Sequence, residues 1–109
     1  MAGGNEPHGE DWIRSQPASH FTIQIAATRG SDAIRQHARG LAASANDDVA
    51  LARVQSGGET LHALFQGRYP NAQQARAAMA ELPAGIRENG PWVRRFDSIQ
   101  QSMSPSQRP

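Results

Sequence analysis

One arrangement occurs twice in this chain: a short strand pattern, a polar turn and then a capped amphipathic helix. Residues 21–26 alternate apolar and polar side chains, and the helix that follows begins at Ser31. The second copy has residues 61–66 before a helix capped by Asn71. Both helices carry an apolar stripe, formed by Ile34, Ala38 and Leu41 in the first and by Ala75, Met79 and Leu82 in the second. Neither unit can bury its apolar face alone, so the two must pack as one pseudo-twofold domain.

Two further extended segments complete the pattern. Residues 49–54 alternate in the same way, and Ser56-Gly57-Gly58-Glu59 joins them to the strand at 61–66 as a tight hairpin, with Gly67 ending that strand. Residues 92–99 supply a last extended segment. The order β-α-β-β-α-β predicts an α+β fold of the ferredoxin-like (RNP-like) type. We expect a four-stranded antiparallel sheet with two helices on one face and the other face open.

The two ends of the chain have the composition of flexible linker. Residues 1–11 and 102–109 are rich in Gly, Pro, Ser and Gln, so we expect both to be flexible and the folded domain to span residues 12–101. A domain of that size holds one small core and buries a limited share of its surface. A binding site on the surface is therefore favoured over an enclosed catalytic cavity.

Several kinds of chemistry have no support in the sequence. The chain has no cysteine, which excludes a disulfide, a thiolate metal site and a thiol nucleophile. Its four histidines lack the helical spacing of zinc ligands, and neither a Gly-x-Ser-x-Gly nucleophile turn nor a glycine-rich phosphate loop is present. We therefore predict that the protein is not an enzyme and has no catalytic residues, no metal site and no cofactor.

Charge and hydropathy limit the classes of partner that we expect for this protein. The net charge is +1 and the arginines are interspersed with acidic residues, which gives little attraction for a phosphate backbone, so we expect no nucleic acid partner. Residues 1–11 lack the apolar core of a secretory signal, and no long apolar run is present, so we expect no membrane contact by this segment itself. A role outside the cytoplasm would then require a larger parent protein.

Three short motifs resemble one known family. The strand Phe21-Thr22-Ile23-Gln24-Ile25 is similar to the opening strand of SPOR domains, and Gly67-Arg68-Tyr69 is similar to the turn before their second helix. The segment at residues 90–100, beginning Gly90-Pro91-Trp92, resembles the ending of the subgroup found in the cell-division protein DamX. The motifs occur in the family's order, and the resemblance covers residues 12–101.

The resemblance implies a function. SPOR domains share the βαββαβ fold and bind septal peptidoglycan whose glycan strands have lost their stem peptides. The expected partners are therefore peptidoglycan glycan strands, and division proteins through the parent chain. The expected location is the periplasm, as the C-terminal domain of a membrane-anchored or secreted parent that the domain brings to the septum.

The resemblance also indicates which residues bind the glycan. Alternation along the first strand leaves Gln24 on the open sheet face. In the DamX subgroup this glutamine and a hydroxyl residue three positions later contribute to glycan binding, and the second position is Ala27 here. Trp92 corresponds to an exposed tryptophan that could stack on a sugar ring. The subgroup has a second tryptophan where this chain has Leu61, and Phe65 is a candidate second platform on the same strand.

Three assignments remain open at this point. Periodicity alone would bury Leu61, Ala63 and Phe65, whereas the family alignment puts them on the open face and leaves His62 half-buried; the two conflict, and we follow the alignment. Trp12 is expected to be a local staple onto the domain. Arg87, Arg94 and Arg95 could pair with the lactyl carboxylate of N-acetylmuramic acid, but a solvated basic surface is the more common role of such residues.

Two other functional classes fit the same order of elements. An RNA-binding module of the RRM type reads bases with aromatic residues on its open sheet face, but residues 61–66 contain no Gly and a single aromatic. A protein-interaction domain would use the sheet face as a flat apolar patch for a partner chain. The replacement of an aromatic by Leu61 keeps that second alternative open.

Overall fold

A computed structural model of the protein describes residues 7–44, 48–82, 84–88 and 90–103. Over these ranges the strands form one antiparallel sheet in the order β2-β3-β1-β4. This arrangement confirms the predicted α+β, ferredoxin-like fold. The elements in chain order are α1 (Glu10–Arg14), β1 (Phe21–Thr28), α2 (Asp32–Ser44), β2 (Val49–Ser56), β3 (Glu59–Tyr69), α3 (Ala72–Ala80), α4 (Ala84–Arg87), β4 (Trp92–Arg95) and α5 (Phe96–Ser102).

The hairpin between β2 and β3 follows the sequence prediction. Gly57 and Gly58 have φ values of 56° and 84°, and the flanking Ser56 and Glu59 pair directly across the hairpin. A two-residue turn with positive φ at both positions matches the right-handed twist of the strands, and glycine adopts it without steric cost.

The strand β3 runs further than predicted because Gly67 lies inside it. Gly67 has a φ of 82°, and the pairing of β1 with β3 is irregular at this level. Its N–H donates to the carbonyl of Asp48 at 2.7 Å, and the buried Thr22 hydroxyl donates to its carbonyl at 2.6 Å. The glycine is therefore the site of a bend whose backbone groups are satisfied, and the expectation that it ends the strand is wrong.

Helices α2 and α3 cover one face of the sheet, as predicted. The side chain of Asn71 accepts a hydrogen bond from the Gln74 N–H at 2.8 Å, which is the expected cap of α3. The predicted stripe of α2 is buried against β1, β2 and β3. The buried residues of this layer are Ile23, Ile25, Ile34, Ala38, Leu41, Ala42, Val49, Leu64 and Leu82.

The other face is not open over its full width. Helices α1 and α5 pack against β2 and β3 on this face. The prediction that the whole face is open is therefore wrong for these two strands. The buried residues of this second layer are Ile13, Ala50, Ala52, Val54, Ala63, Phe65, Phe96, Ile99 and Met103. Both faces of β2 and β3 carry small or apolar side chains, which is typical of strands that are covered on both sides.

The chain leaves the sheet earlier than predicted. The strand β4 ends at Arg95, and the residues expected to continue it form α5. The Phe96 N–H donates to the His20 carbonyl at 2.9 Å and the Asp97 N–H to the Ala18 carbonyl at 3.1 Å, which turns the chain over the sheet. Phe96 and Ile99 are fully buried, as expected for an i, i+3 pair on one face of a helix.

The folded part extends beyond residues 12–101 at both ends. His8 lies beside β2, where its N–H donates to the Val49 carbonyl at 2.7 Å and its carbonyl accepts from the Leu51 N–H at 2.9 Å. Met103 is 4% exposed and pairs with Val54. Residues of both segments that were predicted to be flexible therefore contact the sheet, while residues 1–6 and 104–109 lie outside the described residues.

Candidate functional site

The uncovered part of the second face lies along β1 and β4. Trp92 is the large hydrophobic side chain that stands out there, with 51% of its surface exposed. It pairs with Gln24 on the neighbouring strand, and Thr22 pairs with Arg94 two residues along. Because side chains two apart on a strand share a face, Trp92 and Arg94 lie on the same side as Gln24. We call the patch formed by Gln24, Trp92, Arg94 and Ser98 the Trp92 surface.

Arg94 links the members of the Trp92 surface. Its Nη1 donates to Oε1 of Gln24 at 3.0 Å, and its Nη2 donates to the hydroxyl of Ser98 on α5 at 2.8 Å. The guanidinium carbon lies 5.0 Å from the centroid of the Trp92 ring, within the range of a cation–π contact. One side chain therefore fixes the positions of an amide, an indole and a hydroxyl.

The contact with Arg94 also decides how the Gln24 amide is oriented. A guanidinium has only donors, so the amide oxygen must face it. The amide N–H groups are then left for another acceptor, and within the described ranges they have no protein partner. Gln24 is half-buried, so its amide is both held in place and accessible to a ligand.

Arg94 differs from the two other arginines singled out in the sequence. Partial burial lowers the pKa of Arg94, although a guanidinium remains protonated at neutral pH. No carboxylate among the described residues pairs with it. Arg95 is on the opposite face, where it pairs with Asp97 at 2.8 Å and lies over Phe21, and Arg87 is exposed on α4.

The sequence-predicted site residues are only partly brought together. Gln24 and Trp92 are adjacent, and Ala27 is exposed further along β1 opposite Ala63. Leu61 is half-buried at the start of β3 and packs against the core under α1 and α5. It is therefore a partly covered apolar side chain at the position where the related subgroup has a tryptophan.

Phe65 does not form a platform. It pairs with Gln24 across β1 and β3 but is 0% exposed, because α1 and α5 cover it. The expectation that it is an exposed sugar platform is therefore wrong. The two predictions for β3 are each right in one respect. Phe65 lies on the face that the alignment indicated, and it is buried as the periodicity indicated. His62 is half-buried, as expected from the alignment.

Trp12 packs the entering segment onto the domain, as predicted. Its ring stacks on His8 with centroids 4.7 Å apart and meets Phe96 edge-on at 5.9 Å. The same segment is tied to β2 by Glu10, whose carboxylate accepts from Arg53 at 2.9 Å. That hydrogen bond is the main reason that the pKa of Glu10 is lowered. The two contacts hold α1 against the sheet.

Sequence reasoning did not place Arg94 and Ser98 together in the site. A signal existed for Arg94, because it is two residues from Trp92 on a strand and must share its face. Ser98 carried no such signal, because residues 96–99 were expected to be extended. As part of α5, Ser98 lies four residues beyond Arg94 and within hydrogen-bonding reach of it.

Hollows also lie outside the Trp92 surface, one of them with a volume of about 310 Å³ beside His8, Arg35 and Arg39. A shallow hollow of about 230 Å³ lies between α3, α4 and the start of β4, lined by Arg76, Met79, Ala80, Arg87, Gly90 and Pro91. In the described ranges, no three His, Asp or Glu side chains cluster as metal ligands would. No described helix combines the length and the apolar character needed to cross a bilayer.

Comparison with known proteins identifies the family. The family model of the SPOR domain matches residues 17–95. The chain belongs to the SPOR domain family. This SPOR domain is also 28% identical over 91 residues to the cell division protein DamX of Serratia marcescens, a match that covers 84% of the chain and 41% of DamX. The SPOR domain thus spans less than half the length of this relative, and the predicted resemblance to the DamX subgroup is confirmed.

Proposed function

We propose that this SPOR domain binds peptidoglycan glycan strands, without catalysis, at the Trp92 surface. The observation that carries the proposal is the half-exposed Trp92 ring beside the oriented Gln24 amide on one sheet face. A sugar offers an apolar C–H face that stacks on an indole, and its N-acetyl carbonyl accepts hydrogen bonds from amide N–H groups. One aromatic platform and one donor pair thus match the two kinds of group on the ligand.

The finer proposal concerns the form of the glycan and its place in the cell. The SPOR family and the similarity to a cell division protein support a preference for strands without stem peptides at the septum. The domain would then bring a larger envelope protein to the division site in the periplasm.

Ala27 and Leu61 would contribute only modestly to the affinity of the site for a glycan. Ala27 offers a methyl group where the DamX subgroup has a hydroxyl, and Leu61 offers a partly covered apolar surface where the subgroup has an indole. Both can contact a sugar ring through dispersion but neither donates a hydrogen bond. We therefore assign most of the affinity to Trp92 and Gln24. Phe65 contributes from beneath, as part of the core that supports β1.

The burial of Phe65 also weighs against RNA. An RRM stacks bases on aromatic residues of its sheet face, and here that position is covered by α1 and α5. The Trp92 surface then has one exposed aromatic and one cation. A site for single-stranded nucleic acid combines a positively charged groove with several stacking aromatic residues.

Co-sedimentation of the purified domain with bacterial sacculi, before and after an amidase removes the stem peptides, tests the proposal. We expect more domain in the pellet after amidase treatment. We expect Gln24→Ala to reduce that pelleting, while Gln73→Ala, which changes an exposed glutamine on α3, leaves it unchanged. Absence from the pellet in both cases would overturn the proposal and favour a protein partner for the sheet face.

A further inference from the structure

The environment of Arg94 is unusual among the arginines of this domain. Arg29, Arg53, Arg68 and Arg95 each face a carboxylate within 3.3 Å. Arg35, Arg39, Arg76 and Arg87 have no described carboxylate partner, but all four are exposed. Arg94 is half-buried, yet its described partners are the neutral Gln24 amide and Ser98 hydroxyl. A guanidinium has five N–H donors, so donors remain beyond these two bonds.

The missing countercharge has an energetic consequence. Removing a cation from water costs free energy that an opposite charge recovers, and here the described residues supply none. A ligand anion placed beside Arg94 would therefore gain a charge-assisted hydrogen bond at a site that is already partly desolvated. The Trp92 surface is thus suited to a sugar that carries a carboxylate.

In peptidoglycan the sugar itself carries a free carboxylate only after the stem peptide has been removed. In the intact polymer the lactyl group of N-acetylmuramic acid is joined to the stem peptide by an amide bond and is neutral. An amidase hydrolyses that bond with one water molecule, leaving a carboxylate on the sugar and an amine on the released peptide. The lactyl ether is attached to the sugar ring itself. A sugar stacked on the exposed part of Trp92 would carry it near the guanidinium, which lies 5.0 Å from the indole centroid.

We propose that Arg94 is the specificity-determining residue of the site and binds the lactyl carboxylate that is freed when the stem peptide is removed. The inference rests on the proposed glycan-binding function. It gives the preference for stem-peptide-free strands an electrostatic cause, because the cation distinguishes a carboxylate from a neutral amide. Arg95, which already faces Asp97, has no such role.

The test compares two ligands that differ in the carboxylate alone. Soluble glycan fragments from amidase-treated sacculi are used directly or after carbodiimide coupling to methylamine, which converts each lactyl carboxylate to a neutral amide. Isothermal titration measures the Kd of the wild-type domain, Arg94→Met and Arg94→Lys for both. We expect amidation to weaken wild-type binding by about five- to tenfold, the size of a charge-assisted hydrogen bond at a partly exposed site. Arg94→Met should bind both fragments equally, and Arg94→Lys should keep part of the discrimination.

A positioning role for Arg94 gives a different result. If Arg94 served only to orient Gln24, Arg94→Met would weaken binding of both fragments by the same factor and would still discriminate between them, which overturns the inference. Arg95→Met is the matched control and should discriminate as the wild type does. Equal binding of both fragments by the wild type overturns this inference alone, whereas no binding of either overturns the proposed function together with it. Circular dichroism confirms that each variant is folded.

Discussion

The side chains of Arg94 and Gln24 meet across two neighbouring strands, with Nη1 of the arginine 3.0 Å from the amide oxygen. Because both strands are held in register by backbone pairing, the amide cannot turn without losing a charge-assisted hydrogen bond. The donors that Gln24 presents are therefore oriented before any ligand arrives. A site of this kind loses less side-chain entropy on binding than one built from free side chains.

The two tryptophans of the chain should respond differently to substitution. Trp92→Ala removes a half-exposed ring, so we expect about tenfold weaker glycan binding and a change in unfolding free energy below about 1 kcal/mol. Trp12→Ala removes the contacts with His8 and Phe96 and should cost about 2–3 kcal/mol of stability. Urea denaturation and titration with glycan fragments measure both quantities. A large loss of stability in Trp92→Ala would show that this ring is structural.

Phe65→Ala should act on stability rather than on binding. The ring is 0% exposed beneath α1 and α5, and its removal leaves a cavity in a small core. We expect a loss of about 3–5 kcal/mol in unfolding free energy. Urea denaturation measures it, with Phe65→Leu as a milder companion. If the alanine variant were fully stable but unable to bind glycan, Phe65 would have to be a ligand contact after all.

Gly67→Ala should be more damaging than an alanine at another glycine. Gly67 has a φ of 82°, and a Cβ built there would lie 2.6 Å from Cζ of Tyr69. We expect a loss of more than about 1–2 kcal/mol from the backbone conformation and the collision together. Gly40→Ala in α2 meets no atom within 4 Å and should stabilise the domain by about 0.5–1 kcal/mol. Thermal unfolding of the two variants gives the comparison, and equal effects would contradict the role of the bend.

Acid should weaken the contact between α1 and the sheet. The hydrogen bond from Arg53 lowers the pKa of Glu10 in the folded state, so the charged form stabilises the fold. That stability is present above the ordinary glutamate pKa of about 4.3 and is lost as the pH falls through the lower folded value. Glu10→Gln should therefore reduce the fall in Tm between about pH 5 and pH 3. Glu81→Gln, at an exposed residue with no described ion pair, should keep the wild-type profile.

Local patterns predicted the order of the elements because each depends on neighbours in sequence. The alternation in β1, the paired glycines at 57 and 58 and the Asn71 cap each specify a structure through interactions a few residues apart. The same patterns failed at residues 96–99. There the i, i+3 spacing of Phe96 and Ile99 fits one face of a helix, and α5 forms where the chain finds an apolar surface to cover.

The sequence alone determined the βαββαβ order, the family and the strand that carries Gln24, since these follow from periodicity and motif spacing. Only the tertiary structure decided which aromatic is available to a ligand, because exposure depends on which elements pack over a face. Phe65 and Trp92 lie on the same side of one sheet, yet α1 and α5 bury the first and leave the second half-exposed. The partnership of Arg94 with Gln24 likewise depends on strand register, which joins residues far apart in the chain.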